Sequence, residues 1–301
     1  MNGDRVLPAI GLRLASVGFF SLMNAAIKLC EGRGATLGEI LFFRQAGAAL
    51  VVATVIAAGP GFRSVRTSRF PAHVGRCALG LTGMSFTFAA VLMLPLAEAT
   101  IIGFTVPIFA TVLGALVLRE PTGSWRWGAV LAGFAGVLIV IQPGPDSHFP
   151  FWGAACGLLA AFLTANITIL LRSIGRTEAA LTTVFWFSVL SLVPLSVVYA
   201  LVARPHEAAA WALLGAVGVA GGFGQMAMTN SLKLAPVSVV VPMDYSSLLW
   251  ATLLGWLIFA TLPAAATWAG APVIVAAGLV IVWREARTRR RPAALQAVDD
   301  E

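Results

Sequence analysis

Chemistry in this chain has few places to reside, and the residue in the most telling position is Asp244. It stands about nine residues into the apolar run Leu234–Ala260, which is long enough to cross a bilayer. At about 1.5 Å per residue that places a carboxylate some 13 Å deep. Such a group costs roughly 2.5–3.5 kcal/mol on insertion scales, so it must face a protein interior or a wet cavity. Pro236 and Pro242 flank it, and each removes a backbone donor and leaves a carbonyl unpaired. Two readings follow: a buried aspartate capping freed backbone groups, or a substrate or proton site shared with the adjoining Tyr245.

The other polar residues inside apolar runs are Asn24, Asn166 and Gln225, each able to glue helices together or to hydrogen-bond a ligand. Met84, Phe88 and Trp186 offer thioether and aromatic surface for helix packing or for an apolar part of a ligand. Lys28, Glu31, Glu39 and Arg44 gather at the outer ends of the first two runs. They read as a surface ion-pair network with snorkelling side chains. The sharper alternative is that Arg44, some seven residues in, meets a carboxylate on a substrate. Glu98 lies where it can stabilise a helix N-terminus.

Catalytic machinery is missing by the same inspection. The chain holds no G-x-x-x-x-G-K-[ST] loop, no H-E-x-x-H and no serine or cysteine beside a membrane-embedded histidine. Cys30, Cys77 and Cys156 are far apart, and His73, His148 and His206 fall at loops or span ends. No enzyme activity, cofactor, metal site or disulfide framework is expected.

The elements that must position these residues are transmembrane. Hydrophobic residues make up 59% of the 301 and charged residues only 11%, well below the roughly 25% of soluble domains. Apolar runs between polar breaks predict ten spans, at about 8–29, 37–58, 73–94, 96–118, 124–142, 150–171, 181–203, 209–231, 236–260 and 264–283. The first has no small-residue cleavage site and reads as a retained span. With the N-terminus inside, sixteen basic residues, among them Arg13 and Arg76, fall on inner segments and two, Arg33 and Arg204, on outer loops. That bias predicts cytoplasmic termini. It also explains the net charge of +7 by lipid headgroups, with no nucleic-acid partner. Trp125, Trp127, Trp152 and Trp268 read as an interfacial belt.

The chain repeats itself weakly. At an offset of 142, Pro8 matches Pro150, Asn24 matches Asn166 and Pro121 matches Pro263. At an offset of 138, Leu96-Ala97 matches Leu234-Ala235, which sets Val106 against Asp244 and Thr87 against Gln225. Five spans per copy is an odd number, so the second copy must enter the membrane upside down. Inverted repeats of this kind place a substrate site at their interface. The expected fold class is an all-α polytopic membrane protein of ten helices in two inverted five-helix repeats around a central cavity. The units are 1–142 and 143–287, followed by a tail at 288–301. Pro107 in the fourth span is expected to open its helix as Pro242 does in the ninth.

The segments Leu94–Pro107, Arg119-Glu120-Pro121, Trp127-Gly128 with Gly133–Val140, Leu234–Tyr245 and Gly278–Glu285 resemble the EamA branch of the drug/metabolite transporter superfamily. Thr261-Leu262-Pro263 departs from the first copy's Arg119-Glu120-Pro121. The resemblance implies a ten-helix basket, alternating access, no bound cofactor and a bacterial inner-membrane location. It is compatible with a monomer. The expected cargo is a small-molecule substrate, an amino acid or similar zwitterion, moved outward. Asn24, Asn166, Gln225 and Tyr245 would hydrogen-bond it, Asp244 would meet its ammonium group or take a proton, and Met84, Phe88, Trp186 and Arg44 would complete the site. Competing expectations are an S-adenosylmethionine uptake or exchange carrier, a non-transporting receptor or assembly subunit, and a membrane enzyme.

Overall fold

The structure, a computed structural model, describes residues 6–117, 119, 123–142, 150–175, 177–235 and 237–299. Pro236, Glu120, Pro121 and His148, singled out above, lie outside the described residues. The described chain is all helix and loop: α1 (Val6–Glu31), α2 (Leu37–Ala58), α3 (Phe70–Met93), α4 (Leu96–Gly103), α5 (Val106–Leu116), α6 (Ser124–Ile141), α7 (Phe151–Ile174), α8 (Ala180–Val202), α9 (Ala208–Leu234), α10 (Val237–Val240), α11 (Ser247–Phe259) and α12 (Ala265–Asp299). Among the described residues nine stretches are long and apolar enough to cross a membrane, α4 and α5 together counting as one. The expected ninth span falls on 237–259, which is divided into α10, a 3₁₀ stretch and α11 and is not among the nine. The backbone of α12 runs on as helix through the Arg-rich segment to Asp299.

Both breaks sit at prolines. After Gly103 the chain closes two tight turns, Phe104 N–H to Ile101 and Thr105 N–H to Ile102, before α5 restarts with Pro107 in its first turn. Pro107 cannot donate to the turn before it, and at the break the Thr105 hydroxyl adds a second bond to the Ile102 carbonyl, at 2.6 Å. In the ninth crossing α10 is a single turn, residues Val241–Ser246 are 3₁₀ helix with Pro242 in the first turn, and α11 follows. The Ser246 hydroxyl caps the Met243 carbonyl at 2.6 Å. Irregular backbone at this depth needs partners inside the bundle, and hydroxyls three residues away supply them.

The bundle is a set of long pairings. α1 packs along α9, α7 along α3, α6 along α12, and α2 against both α8 and α9. The α2–α9 crossing is close because glycines face each other. A Cβ on Gly218 would stand 2.6 Å from the Phe43 carbonyl oxygen, and one on Gly47 would collide with the Gly218 backbone. Small residues at a crossing let backbones approach where lipid gives no hydrophobic drive.

The ends are tied by buried carboxylates. Thr36 and Glu39 form a reciprocal capping box at the start of α2. The fully buried Glu39 also accepts from Arg204 N–H at 3.0 Å and meets His206 Nε2 at 2.8 Å, joining the α1–α2 and α8–α9 loops. At the opposite end Glu178 accepts from the Thr67 hydroxyl at 2.7 Å and Ser68 N–H at 3.3 Å, with His73 Nε2 3.7 Å away. Burial pushes the Glu178 carboxyl up, but these donors and the neighbouring histidine outweigh it and hold it below the usual carboxylate range.

The expected surface network of Lys28, Glu31, Glu39 and Arg44 does not form. Lys28 donates to the Leu94 carbonyl at 2.6 Å, a cation on the C-terminal end of α3. Glu39 is a cap, and Arg44 lies buried one turn and a half further in. Each acts on a helix end or the core because open backbone groups there outcompete exposed ion pairing. Glu98 is likewise buried and accepts from Ala264 N–H and the Thr267 hydroxyl, both at 3.1 Å, fastening α4 to the first turn of α12. Arg13 and Arg76 also leave the inner basic set: both sit within helices inside the bundle. The tryptophans at span ends are outward-facing, with Trp125 and Trp152 68% and 71% exposed.

Gly218→Ala should therefore lower the stability of the solubilised protein by about 1–3 kcal/mol through overpacking. Gly11→Ala, with nothing within 4 Å of the added methyl, should leave it unchanged. Thermal melts of the two variants check this, and equal melting temperatures would remove the α2–α9 contact from the account.

Candidate functional site

The site is built where the broken ninth crossing meets α1. The α-helical ladder is replaced by 3₁₀ turns at Val241–Ser246, so Asp244 sits on a segment whose side chains do not follow the helical stripe. Arg13 faces it from α1. Its Nε and Nη2 each lie 2.5 Å from a different Asp244 oxygen, a two-pronged pair between residues 231 apart in sequence. This fork matches a carboxylate as a lysine could not. The third nitrogen, Arg13 Nη1, is buried without a hydrogen-bond partner.

The pair lines a cavity of about 360 Å³. Polar lining comes from Ser21, Asn24, Thr87, Thr100, Thr164 and Ser247, and apolar lining includes Phe20, Phe104 and Met228. The Ser16 hydroxyl is also at the wall but is committed to the Gly224 carbonyl at 2.8 Å, pinning α1 to α9. Six crossings contribute, the first, third, fourth, sixth, eighth and ninth. Both broken crossings are among them, with Gly103, Phe104 and Val106 at one break and Asp244 and Ser247 at the other. A cavity of this size falls in the range that holds small molecules, and its few polar groups converge from different helices.

Of the residues expected from the sequence to form a site, Asp244 and Asn24 line this cavity. Tyr245 points the other way: its ring packs edge-on against Phe104 at 4.8 Å and its hydroxyl presses on Gly278 of α12. Asn166 donates to the Phe162 carbonyl of its own helix at 2.9 Å. The Gln225 side chain is half-buried on α9, away from the lining. Phe88 is buried in the core beside Ile27 and Val91, with Met84 packed on the same cluster. Trp186 donates its indole N–H to the Val65 carbonyl at 2.9 Å, near the end of the bundle that carries Glu178. Arg44 is buried between α2 and α9, outside the cavity wall. Among the described residues no group of three metal-ligating side chains occurs.

Sequence reasoning missed Arg13, which the charge count had assigned to a membrane surface. A signal was present. Arg13 lies seven residues into α1 and Asp244 seven residues into the ninth crossing, so opposite charges stand at equal depth in two spans that enter from the same face.

Comparison with known proteins fits this geometry. The model of the EamA-like transporter family matches residues 7–142 and again 151–283. The chain belongs to the EamA-like transporter family. It is 30% identical to a riboflavin transporter of Rhizobium johnstonii over 96% of this chain and 95% of that one. It is also 30% identical to a pseudopaline exporter of Pseudomonas aeruginosa, over 87% and 91% of the two chains. An S-adenosylmethionine uptake transporter of Rickettsia felis is 24% identical over 94% and 97%. One solved structure shares the fold with a TM-score of 0.62 at 18% identity, covering 91% of this chain and 97% of that chain. The family resemblance drawn from the sequence is thus shown, as is the all-helical polytopic fold. The protein is a multi-pass membrane transporter of a small molecule, in a family of transporters and not of enzymes.

Removing one member of the Arg13–Asp244 pair strands the other charge in a low-dielectric site. Arg13→Gln or Asp244→Asn should each cost about 3 kcal/mol, the lower end for buried pairs because Asp244 opens on the cavity. The double variant should recover most of that loss. Melting temperatures of the three variants in detergent test this, and additive losses would mean that the pair does not couple.

Proposed function

We propose that the protein is a secondary transporter working by alternating access across the bacterial inner membrane, with cytoplasmic termini, and that its cargo is a net-neutral polar metabolite. The observation that carries the cargo class is the Arg13–Asp244 pair on the cavity wall. One fixed cation and one fixed anion sum to zero, so a solute with net charge would enter with nothing to neutralise it. A zwitterion can exchange with the pair, its carboxylate taking the guanidinium and its ammonium the aspartate. Amino acids and similar small zwitterions are the first expectation, and export is the direction assigned from the family resemblance.

Alternating access is supported by the arrangement of the crossings. The family model matches the chain twice, and five crossings per match turn the second unit over. The neighbours exchange as inversion requires: α1 lies on α9 as α7 lies on α3. The fourth and ninth crossings, which inversion would exchange, are both broken at a proline. The carboxylate ties at the two ends follow the same rule, Glu39 with His206 at one end and Glu178 with His73 at the other. Opening each end in turn means releasing one tie while the other holds.

A second reading has its own observation. Ser21, Asn24, Thr87, Thr100 and Thr164 face the same cavity as the Phe20 and Phe104 rings, a lining suited to an uncharged polyhydroxylated aromatic such as riboflavin. S-adenosylmethionine carries one net positive charge and is disfavoured by the same argument.

Flux into and out of proteoliposomes tests the charge rule with labelled leucine, phenylalanine, riboflavin, lysine, glutamate and S-adenosylmethionine. Saturable flux is expected for at least one net-neutral solute, at about tenfold or more over the charged ones, which corresponds to roughly 1.4 kcal/mol of discrimination. Asp244→Asn should depress the preferred flux. Equal flux of neutral and charged solutes, or flux indifferent to the substitution, would overturn the assignment.

A further inference from the structure

A second set of cations, Arg44 buried and Arg76 half-buried, lies outside the cavity. Arg44 on α2 is only 7% exposed, and among the described residues its single hydrogen-bond partner is the neighbouring Gln45, whose Oε1 accepts from Nη1. Arg44 Nε and Gln45 Nε2 are buried and have no partner. Arg76 on α3 has two buried nitrogens without partners, Nε and Nη1. Its guanidinium lies 3.9 Å over the Phe187 ring of α8. The stem of Arg44 rests on α9, where a Cβ at Gly221 would come 3.4 Å from its Cγ. α2, which carries Arg44, packs against α3, α8 and α9. Among the described residues no carboxylate forms an ion pair with either arginine.

All four orphaned atoms are donors. A guanidinium does not lose its proton in a protein, so neither charge can be removed by titration. The face of one aromatic ring offsets part of the cost of one cation and supplies no counter-charge. Two positive charges in the bundle then lack a carboxylate counter-charge among the described residues, and burying such donors unpaired is costly. We propose that Arg44, Gln45 and Arg76 form a site for one small monovalent anion, a halide or a carboxylate, between α2, α3, α8 and α9. An ion there fastens the second and third crossings and lies apart from the Arg13–Asp244 pair. Its source is either an inorganic anion from solution or the carboxylate of an organic solute.

The test uses the full chain in detergent and makes no assumption about cargo. Melting temperature is followed as chloride replaces the bulky sulfonate anion 2-morpholinoethanesulfonate at constant ionic strength, and in a parallel arm as acetate does. A saturable rise of several degrees with chloride alone identifies a halide site. A rise with acetate identifies a carboxylate site, and a rise with both identifies an anion site of either source. In each case Arg44→Gln and Arg76→Gln should flatten the curve, and the charge-conserving Arg44→Lys should shift its midpoint to higher concentration. No saturable rise for the unmodified protein in either arm overturns the proposal, as does a rise that persists unchanged in the substituted proteins. Where the glutamine variants do not fold, the unmodified protein and Arg44→Lys decide alone.

Discussion

A carboxylate placed inside a bilayer has to be neutralised, hydrated or hydrogen-bonded, and the answer here is a guanidinium from the far end of the sequence. Arg13 and Asp244 hold each other through two parallel contacts of 2.5 Å. Much else follows from keeping those two side chains together. The ninth crossing is 3₁₀ around Asp244, so Asp244 faces the cavity while Tyr245 turns towards Phe104 and α12. α1 must lie against the ninth crossing and α9 together, and the Ser16 bond to the Gly224 carbonyl fixes that placement. The pair also sets the charge of the cavity at zero.

The rest of the bundle secures this arrangement without hydrophobic drive between helices. Glycines bring α2 and α9 into backbone contact, and polar groups tie helix ends to loops. Lys28 and Glu39 look in sequence like membrane-surface charges, and Glu98 like a stabiliser of its own helix N-terminus. In the structure each satisfies open backbone groups: carbonyls ending α3, amides opening α2 and the α8–α9 loop, and the amide preceding α12. These contacts are local and few, which suits the parting and re-forming of ends that the proposed alternating access calls for.

The span count, the helical class and both proline breaks were legible in the sequence because they depend on short-range facts: run length, the missing proline donor and residue depth. The family was legible because its segments recur along nearly the whole chain. Which polar residues share a wall was not. Asn166 and Gln225 sit at depths as suitable as that of Asn24, yet a rotation about the helix axis decides whether an amide meets the cavity or its own helix. Rotation is set by packing across crossings far apart in sequence, such as α1 on α9. Arg13 shows the same limit. Its depth was readable, but the rule that counts arginines as surface markers hid it until a partner 231 residues away came into view.

Exchanging the two charges tests the central claim most directly. A carrier with Arg13→Asp and Asp244→Arg together keeps one cation and one anion on the cavity wall. The account predicts folded protein with a melting temperature well above that of either single substitution, and measurable flux of the net-neutral cargo. A swapped protein no more stable than the single variants, or one that folds as well as they do but carries nothing, would contradict it.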